Sequence, residues 1–134
     1  MTEKKNTTKT GDIGEEIAIK YLVNKGFSVL ETKYLKRWGE LDIVARNKDV
    51  VHFVEVKTFS YETRGKLERS LATDSWRPEE MVHQFKLHQI GKALRTWISE
   101  NAYKGEYQID VIAIHMTLSG KYATVEHIEK VVAE

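Results

Sequence analysis

Gly39-Glu40-Leu41-Asp42-Ile43-Val44-Ala45 and, a few residues on, Phe53-Val54-Glu55-Val56-Lys57 are the stretches on which the reading of this chain turns. Leu41–Ala45 and Val50–Val56 read as strands, and the polar run Arg46-Asn47-Lys48-Asp49 between them suits a hairpin turn. Side chains alternate faces along a strand, so Glu55 and Lys57 share one face with Val51 and Phe53, while Val54 and Val56 take the other. Pairing Ala45 with Val50 places Asp42 opposite Phe53 and diagonal to Glu55, within reach on one face. Glu40 lies on that face near the strand's start. A slip of one residue would send the acids to opposite faces.

Charges in the middle of apolar strands are unfavourable unless paired or bound to a metal. Two facing carboxylates repel, and a hard divalent cation removes the repulsion. Mg²⁺ takes one or two carboxylates and keeps waters for a phosphate substrate. Lys57 beside them is placed to orient a water or to offset transition-state charge. A structural ion pair of Lys57 with Glu55 or Asp42 fits the spacing equally well.

The helical segment containing Gly14-Glu15 precedes this block, and Lys86 and Tyr107-Gln108-Ile109-Asp110-Val111 follow it. Together these motifs resemble the YraN-like family, within the restriction-endonuclease-like PD-(D/E)xK nuclease superfamily and related to archaeal Holliday junction resolvases. The likeness runs from about Gly11 to Ile114. It implies an α/β three-layer sandwich with a mixed central sheet flanked by helices. It implies that Asp42 and Glu55 ligate Mg²⁺ (or Mn²⁺), that the Val56 carbonyl assists, and that Lys57 is the catalytic lysine. Glu15 corresponds to the extra acid that approaches the metal in resolvase-like members. The function implied is a metal-dependent endonuclease acting on DNA, in branched or structured form; a catalytically silent nucleic-acid adaptor is the alternative. Resolvase-like proteins commonly dimerise, though no interface is legible in this sequence. Two departures stand out: Thr58-Phe59 replaces an arginine common after the lysine, and the segment Phe59–Pro78 is long.

Around this block the expected element order is α-β-β-β-α-β-β in one domain over residues 11–134, behind a flexible tail at 1–10. Ile13, Ile17, Ala18, Tyr21 and Leu22 form the apolar stripe of a first helix, with Asp12 as N-cap, Glu15 completing a capping box and Gly26 as terminator. A strand follows at about Phe27–Tyr34. Phe59–Pro78 is aperiodic and reads as a long loop, in which Arg64, Arg69, Trp76 and Arg77 are candidates to grip phosphates and stack on bases. An ordinary solvated loop fits as well. A second helix is expected from Pro78 to about Asn101, with Lys86 a candidate phosphate contact. Strands at Tyr107–Met116 and Tyr122–Ile128 complete the chain. His52, His115 and His127 show no partner spacing and read as bystanders; Asp110 is either a supporting acid or an outward strand residue.

At 134 residues with 41% hydrophobic content the chain can bury one core. It has no cysteine, which excludes disulfides, thiolate zinc sites and a cysteine nucleophile. A net charge of +1 does not suggest a strongly basic nucleic-acid binder, but acids gathered around a cation would leave the remaining surface more positive. No run has the length of a membrane span, and the polar N-terminus lacks a signal peptide's apolar stretch, so a soluble cytoplasmic protein is expected.

Overall fold

The computed structural model describes residues 2–73 and 86–131, with side chains from 10 to 73 and from 89 to 131. The elements are α1 (Thr2–Asn24), β1 (Ser28–Lys36), β2 (Gly39–Asn47), β3 (Val50–Tyr61), α2 (Arg64–Ala72), α3 (Lys86–Glu100), β4 (Glu106–Thr117) and β5 (Ala123–Ile128). The strands form one sheet in the order β1-β2-β3-β4-β5. Neighbours are antiparallel except β3 and β4, which run parallel over twelve paired positions, so the sheet is mixed. A parallel pair needs a crossover, and the segment holding α2 and α3 provides it.

The sheet is covered on both faces, giving three layers. On one face the predicted stripe of α1 packs Ala18 and Leu22 against Ile43, Ala45, Val54, Ile112, Ile114 and Met116, with Ile13, Ile17 and Tyr21 at the margin. On the other, Ile90, Ala93, Leu94 and Trp97 of α3 meet Tyr34, Leu41, Val44, Val51 and Phe53. Gly26 ends α1 as expected. Its φ is +97°, and the bonds Phe27 N–H to Leu22 carbonyl (2.9 Å) and Gly26 N–H to Val23 carbonyl (3.0 Å) make a Schellman motif.

Several expectations are corrected. The segment expected as a tail is helical from Thr2, so Asp12 lies within α1 rather than capping it. Its carboxylate instead accepts from Lys33 Nζ at 3.1 Å. The supposed loop is mostly ordered structure: β3 runs on to Tyr61, and α2 follows. Thr63 caps α2 by accepting the Lys66 N–H at 3.1 Å, and Lys66–Glu62 and Arg64–Glu68 pair along the chain at i,i+4. Only Leu67 of this nine-residue helix is buried, so it leaves no periodic apolar stripe in the sequence. The element order therefore gains a helix. Trp76, Arg77 and Pro78 lie outside the described residues, as does the expected start of the second long helix.

The β2–β3 register is also corrected. Asn47 pairs with Val50, leaving the two-residue turn Lys48-Asp49, and the ladder continues to Ile43↔Val54. This differs by two residues from pairing Ala45 with Val50. A shift of two keeps the side chains of the paired stretch Ile43–Asn47 on their expected faces.

Gly14 explains how α1 lies so close to the sheet. A Cβ there would stand 1.9 Å from Thr58 Oγ1 and 2.9 Å from Thr58 Cβ. Gly14→Ala is expected to force α1 away from β3 and lower stability by about 1–3 kcal/mol. Thermal melts should show the loss, and Thr58→Ala in the same chain should recover part of it. An unchanged melting temperature for Gly14→Ala would mean that this contact does not set the helix position.

Candidate active site

The β2–β3 ladder stops at Ile43↔Val54, although β2 extends back to Gly39 and β3 runs on alongside β4. The strands part where the next opposed residues are Asp42 and Glu55. Leu41 packs in the α3-side cluster with Val44, whereas Ile43 packs on the α1 side. Regular alternation would put Leu41 with Ile43, so β2 departs from a regular pleat beside Asp42. Across the opening, the Val56 N–H donates to Asp42 Oδ2 at 2.8 Å. A backbone donor facing β2 thus ends on a carboxylate.

Glu55 is buried, at 8% exposure. Strand alternation puts it and the half-buried Lys57 on the face of Val51 and Phe53, the face α3 covers. Burial raises the Asp42 carboxyl most, and the charge of Glu55 raises it further; the Val56 N–H opposes both, and Glu15 and Glu40 add smaller increments, leaving it pushed up to about 8. Glu15 projects from α1 next to Gly14. Its carboxylate lies 3.2 Å from Lys33 Nζ. Burial raises its pKa against the pull of Lys33, and Glu40 adds repulsion. The close approach at Gly14 is thus what lets an acid of the first helix act on an acid of the sheet. The Gly-Glu pair has a packing half and an electrostatic half.

Asp42 therefore lies within electrostatic reach of Glu55, Glu15 and Glu40, with Lys57 two residues beyond Glu55 on the same strand. The remaining sequence candidates are placed elsewhere. Arg64 is engaged within the fold, 3.0 Å from Glu68 Oε2 and with its guanidinium 3.9 Å from the centre of the Tyr122 ring. Arg69 stands in the last turn of α2. Lys86 opens α3.

Two groupings were missed by reading along the chain. The first is a cleft of about 470 Å³ lined by Trp38, Lys92, Arg95, Thr96, Ser99 and Glu100. Trp38, in the β1–β2 turn, is 42% exposed, and its indole N–H donates to Thr96 Oγ1 at 3.0 Å. Both oxygens of Glu100 are engaged, by the Tyr34 hydroxyl at 2.6 Å and Lys36 Nζ at 3.1 Å. Among the described residues no ion pair involves Lys92 or Arg95, so the cleft is net positive. Its parts lie more than fifty residues apart in sequence, and only α3 docking on the turn at Gly39 joins them. A Cβ on Gly39 would stand 2.4 Å from the Gln89 carbonyl oxygen.

The second corrects the treatment of two histidines and Asp110. His52 and His127 are not bystanders: both meet the fully buried carboxylate of Asp110, at 2.6 and 2.8 Å. They lie on three different strands, so no spacing along the chain announces them.

The sequence profile of the uncharacterised protein family UPF0102 matches residues 14–114. A UPF0102 protein of Trichlorobacter lovleyi is 40% identical over 126 residues, covering 92% of this chain and 90% of its own. One from Pelobacter propionicus is 38% identical over 130 residues, covering 95% and 84%. One from Campylobacter fetus is 38% identical over 103 residues, covering 75% and 79%. The chain belongs to the UPF0102 (YraN-like) family. Among the described residues no helix is long and apolar enough to cross a membrane.

Proposed function

We propose that this chain is a restriction-endonuclease-like protein of the PD-(D/E)xK superfamily that hydrolyses DNA phosphodiester bonds, in branched or structured DNA, with Mg²⁺ or Mn²⁺. The observation that carries this reading is the parting of β2 and β3 at Asp42 and Glu55, with the Asp42 carboxyl raised by burial and by its neighbour. A hard dication relieves the repulsion of such a pair, and an all-oxygen donor set suits one. Asp42 and Glu55 would hold it, with the Val56 carbonyl and Glu15 as supporting donors. A bound Mg²⁺ supplies Lewis-acid polarisation of a phosphodiester oxygen and a water of lowered pKa. The Lys57 ammonium orients the attacking water and offsets the charge that grows on the phosphoryl oxygens. The Trp38 cleft offers a stacking surface beside Lys92 and Arg95 for a nucleic-acid strand.

The test is incubation of the full chain with single-stranded, duplex, flap and junction DNAs, with Mg²⁺, Mn²⁺ or chelator. Cation-dependent cleavage of a branched substrate is expected. Lys57→Ala should slow it by on the order of 10²–10⁴-fold with the fold intact. Salt-dependent binding without any cleavage, once metal binding is confirmed, would replace the nuclease with a nucleic-acid adaptor. Absence of salt-dependent DNA binding would remove nucleic acid from the account.

The cleft yields its own prediction. Lys92→Ala and Arg95→Ala should each weaken DNA binding to a similar degree across sequences and reduce the slope of log affinity against log salt by about 1. Slopes equal to that of the unaltered chain would place the strand elsewhere.

A further inference from the structure

The His52–Asp110–His127 cluster lies on the α1 side of the sheet, the face opposite Glu55 and Lys57. Register accounts for its assembly. His52 pairs with Gln108 across the parallel β3–β4 ladder, and His127 pairs with Ile112 across β4–β5. Paired residues share a face, and so do residues two apart on β4, so all three side chains meet over the middle strand. Phe27 stands edge-on to the His52 ring at 4.8 Å, and Tyr21 edge-on to His127 at 5.6 Å, forming an aromatic wall.

The two oxygens of Asp110 do different work. Oδ1 accepts from Gln108 Nε2 at 2.9 Å and from the Lys130 N–H at 3.1 Å. Oδ2 faces His52 Nδ1 at 2.6 Å and His127 Nε2 at 2.8 Å. Burial alone would raise this carboxyl; the donors on His127, His52, Gln108 and Lys130 overcome it and hold it well below the ordinary carboxylate range. The group is an anion. One ligating atom each from His52, Asp110 and Glu129 lies within 4.8 Å of the others, and Glu129 is exposed, so the cluster has a solvent-facing side.

We propose that His52, Asp110 and Glu129 bind a transition-metal dication of the Zn²⁺ type, with His127 holding Asp110 in place, at a site separate from the carboxylate pair at Asp42 and Glu55. One imidazole nitrogen and two carboxylate oxygens, with water in the fourth position, form a donor set that zinc accepts, and imidazole selects against Mg²⁺. Binding needs little rearrangement of protons. His52 gives up the proton on Nδ1 and carries one on Nε2, exchanged through water. Asp110 Oδ2 then trades the His52 donor for the metal and keeps that of His127. Oδ1 keeps its two outer donors, the arrangement that orients a ligating carboxylate. The ion would tie β3, β4 and the segment after β5 together.

The experiment is titration of Zn²⁺ into the chelator-treated full chain by calorimetry, with the visible absorption of bound Co²⁺ as a second readout. One Zn²⁺ per chain is expected, with a Co²⁺ spectrum of nitrogen–oxygen ligation, both retained in Asp42→Asn. His127→Gln and the exposed Glu129→Gln should each weaken Zn²⁺ by tenfold or more. Glu129→Gln keeps the test decisive where His127→Gln does not fold. No Zn²⁺ binding by the unaltered chain would leave the cluster as a hydrogen-bonded clamp and end the proposal. So would binding that is lost in Asp42→Asn but unchanged in Glu129→Gln. Loss of DNA cleavage in Lys57→Ala bears on the other site alone, so the two readings fail separately.

Discussion

Asp42→Asn is expected to cut cation-dependent cleavage sharply and, in chelator at pH 8, to make the protein more stable than the unaltered chain. The two effects have one origin. The Asp42 carboxyl is raised in the folded state, so between its ordinary value of 3.8 and about 8 the folded chain binds more protons than the unfolded chain. Stability attributable to this group therefore falls as pH rises through that window, because the ionised form is buried beside Glu55. Asparagine keeps an oxygen for the Val56 N–H and removes the charge. A gain of a few degrees in melting temperature is expected above pH 7, shrinking towards pH 4, with activity lower by on the order of 10²–10³-fold. Adding Mn²⁺ should raise the melting temperature of the unaltered chain, by the equivalent of about 2.7 kcal/mol at a hundred times the dissociation constant. Asp42→Asn should show little of this response. A variant less stable than the parent at every pH, or one that still responds fully to Mn²⁺, would separate Asp42 from the cation and undo the site.

Trp97→Ala is expected to be the most damaging single truncation on the α3 side. Trp97 is 4% exposed and meets Phe53 edge-on at 5.5 Å. Its indole N–H donates to Glu31 Oε1 at 3.0 Å, so α3 is joined both to the central strand and to β1. Removing a buried indole costs about 3–5 kcal/mol, and the Glu31 carboxylate also loses its donor. Phe53 is two residues before Glu55 on the same face, so the loss also loosens the support behind the site. Denaturant melts should report a fall in midpoint of that size, and cleavage should fail at a lower temperature than in the parent. A loss below about 1 kcal/mol would mean that α3 is not the layer holding this face.

Much of the fold was legible because local patterns carry it. The α1 stripe, the glycine that ends it and the acid-bearing hairpin all rest on residues near one another, where period and turn chemistry apply. The faces of Ile43, Val44 and Ala45 survived a register error of two, since the pleat repeats every two residues, whereas that of Leu41 did not. Helix α2 was not legible. It is held by a threonine cap, two surface ion pairs and one buried leucine, none of which makes a period. The Trp38 cleft was invisible too, because its halves are sequence-remote and meet only when α3 packs over Gly39.

Sequence alone determined the family, the end of α1 at Gly26 and the hairpin that carries Asp42 and Glu55, all legible along the chain, whereas the close approach of Gly14 to Thr58 belongs to the tertiary structure. Tertiary structure decided where β2 and β3 part, what lies buried beside Asp42, and that His52, Asp110 and His127 share one buried anion. Those are properties of strands brought together from distant parts of the chain. Burial and electrostatic coupling have no expression until the layers close.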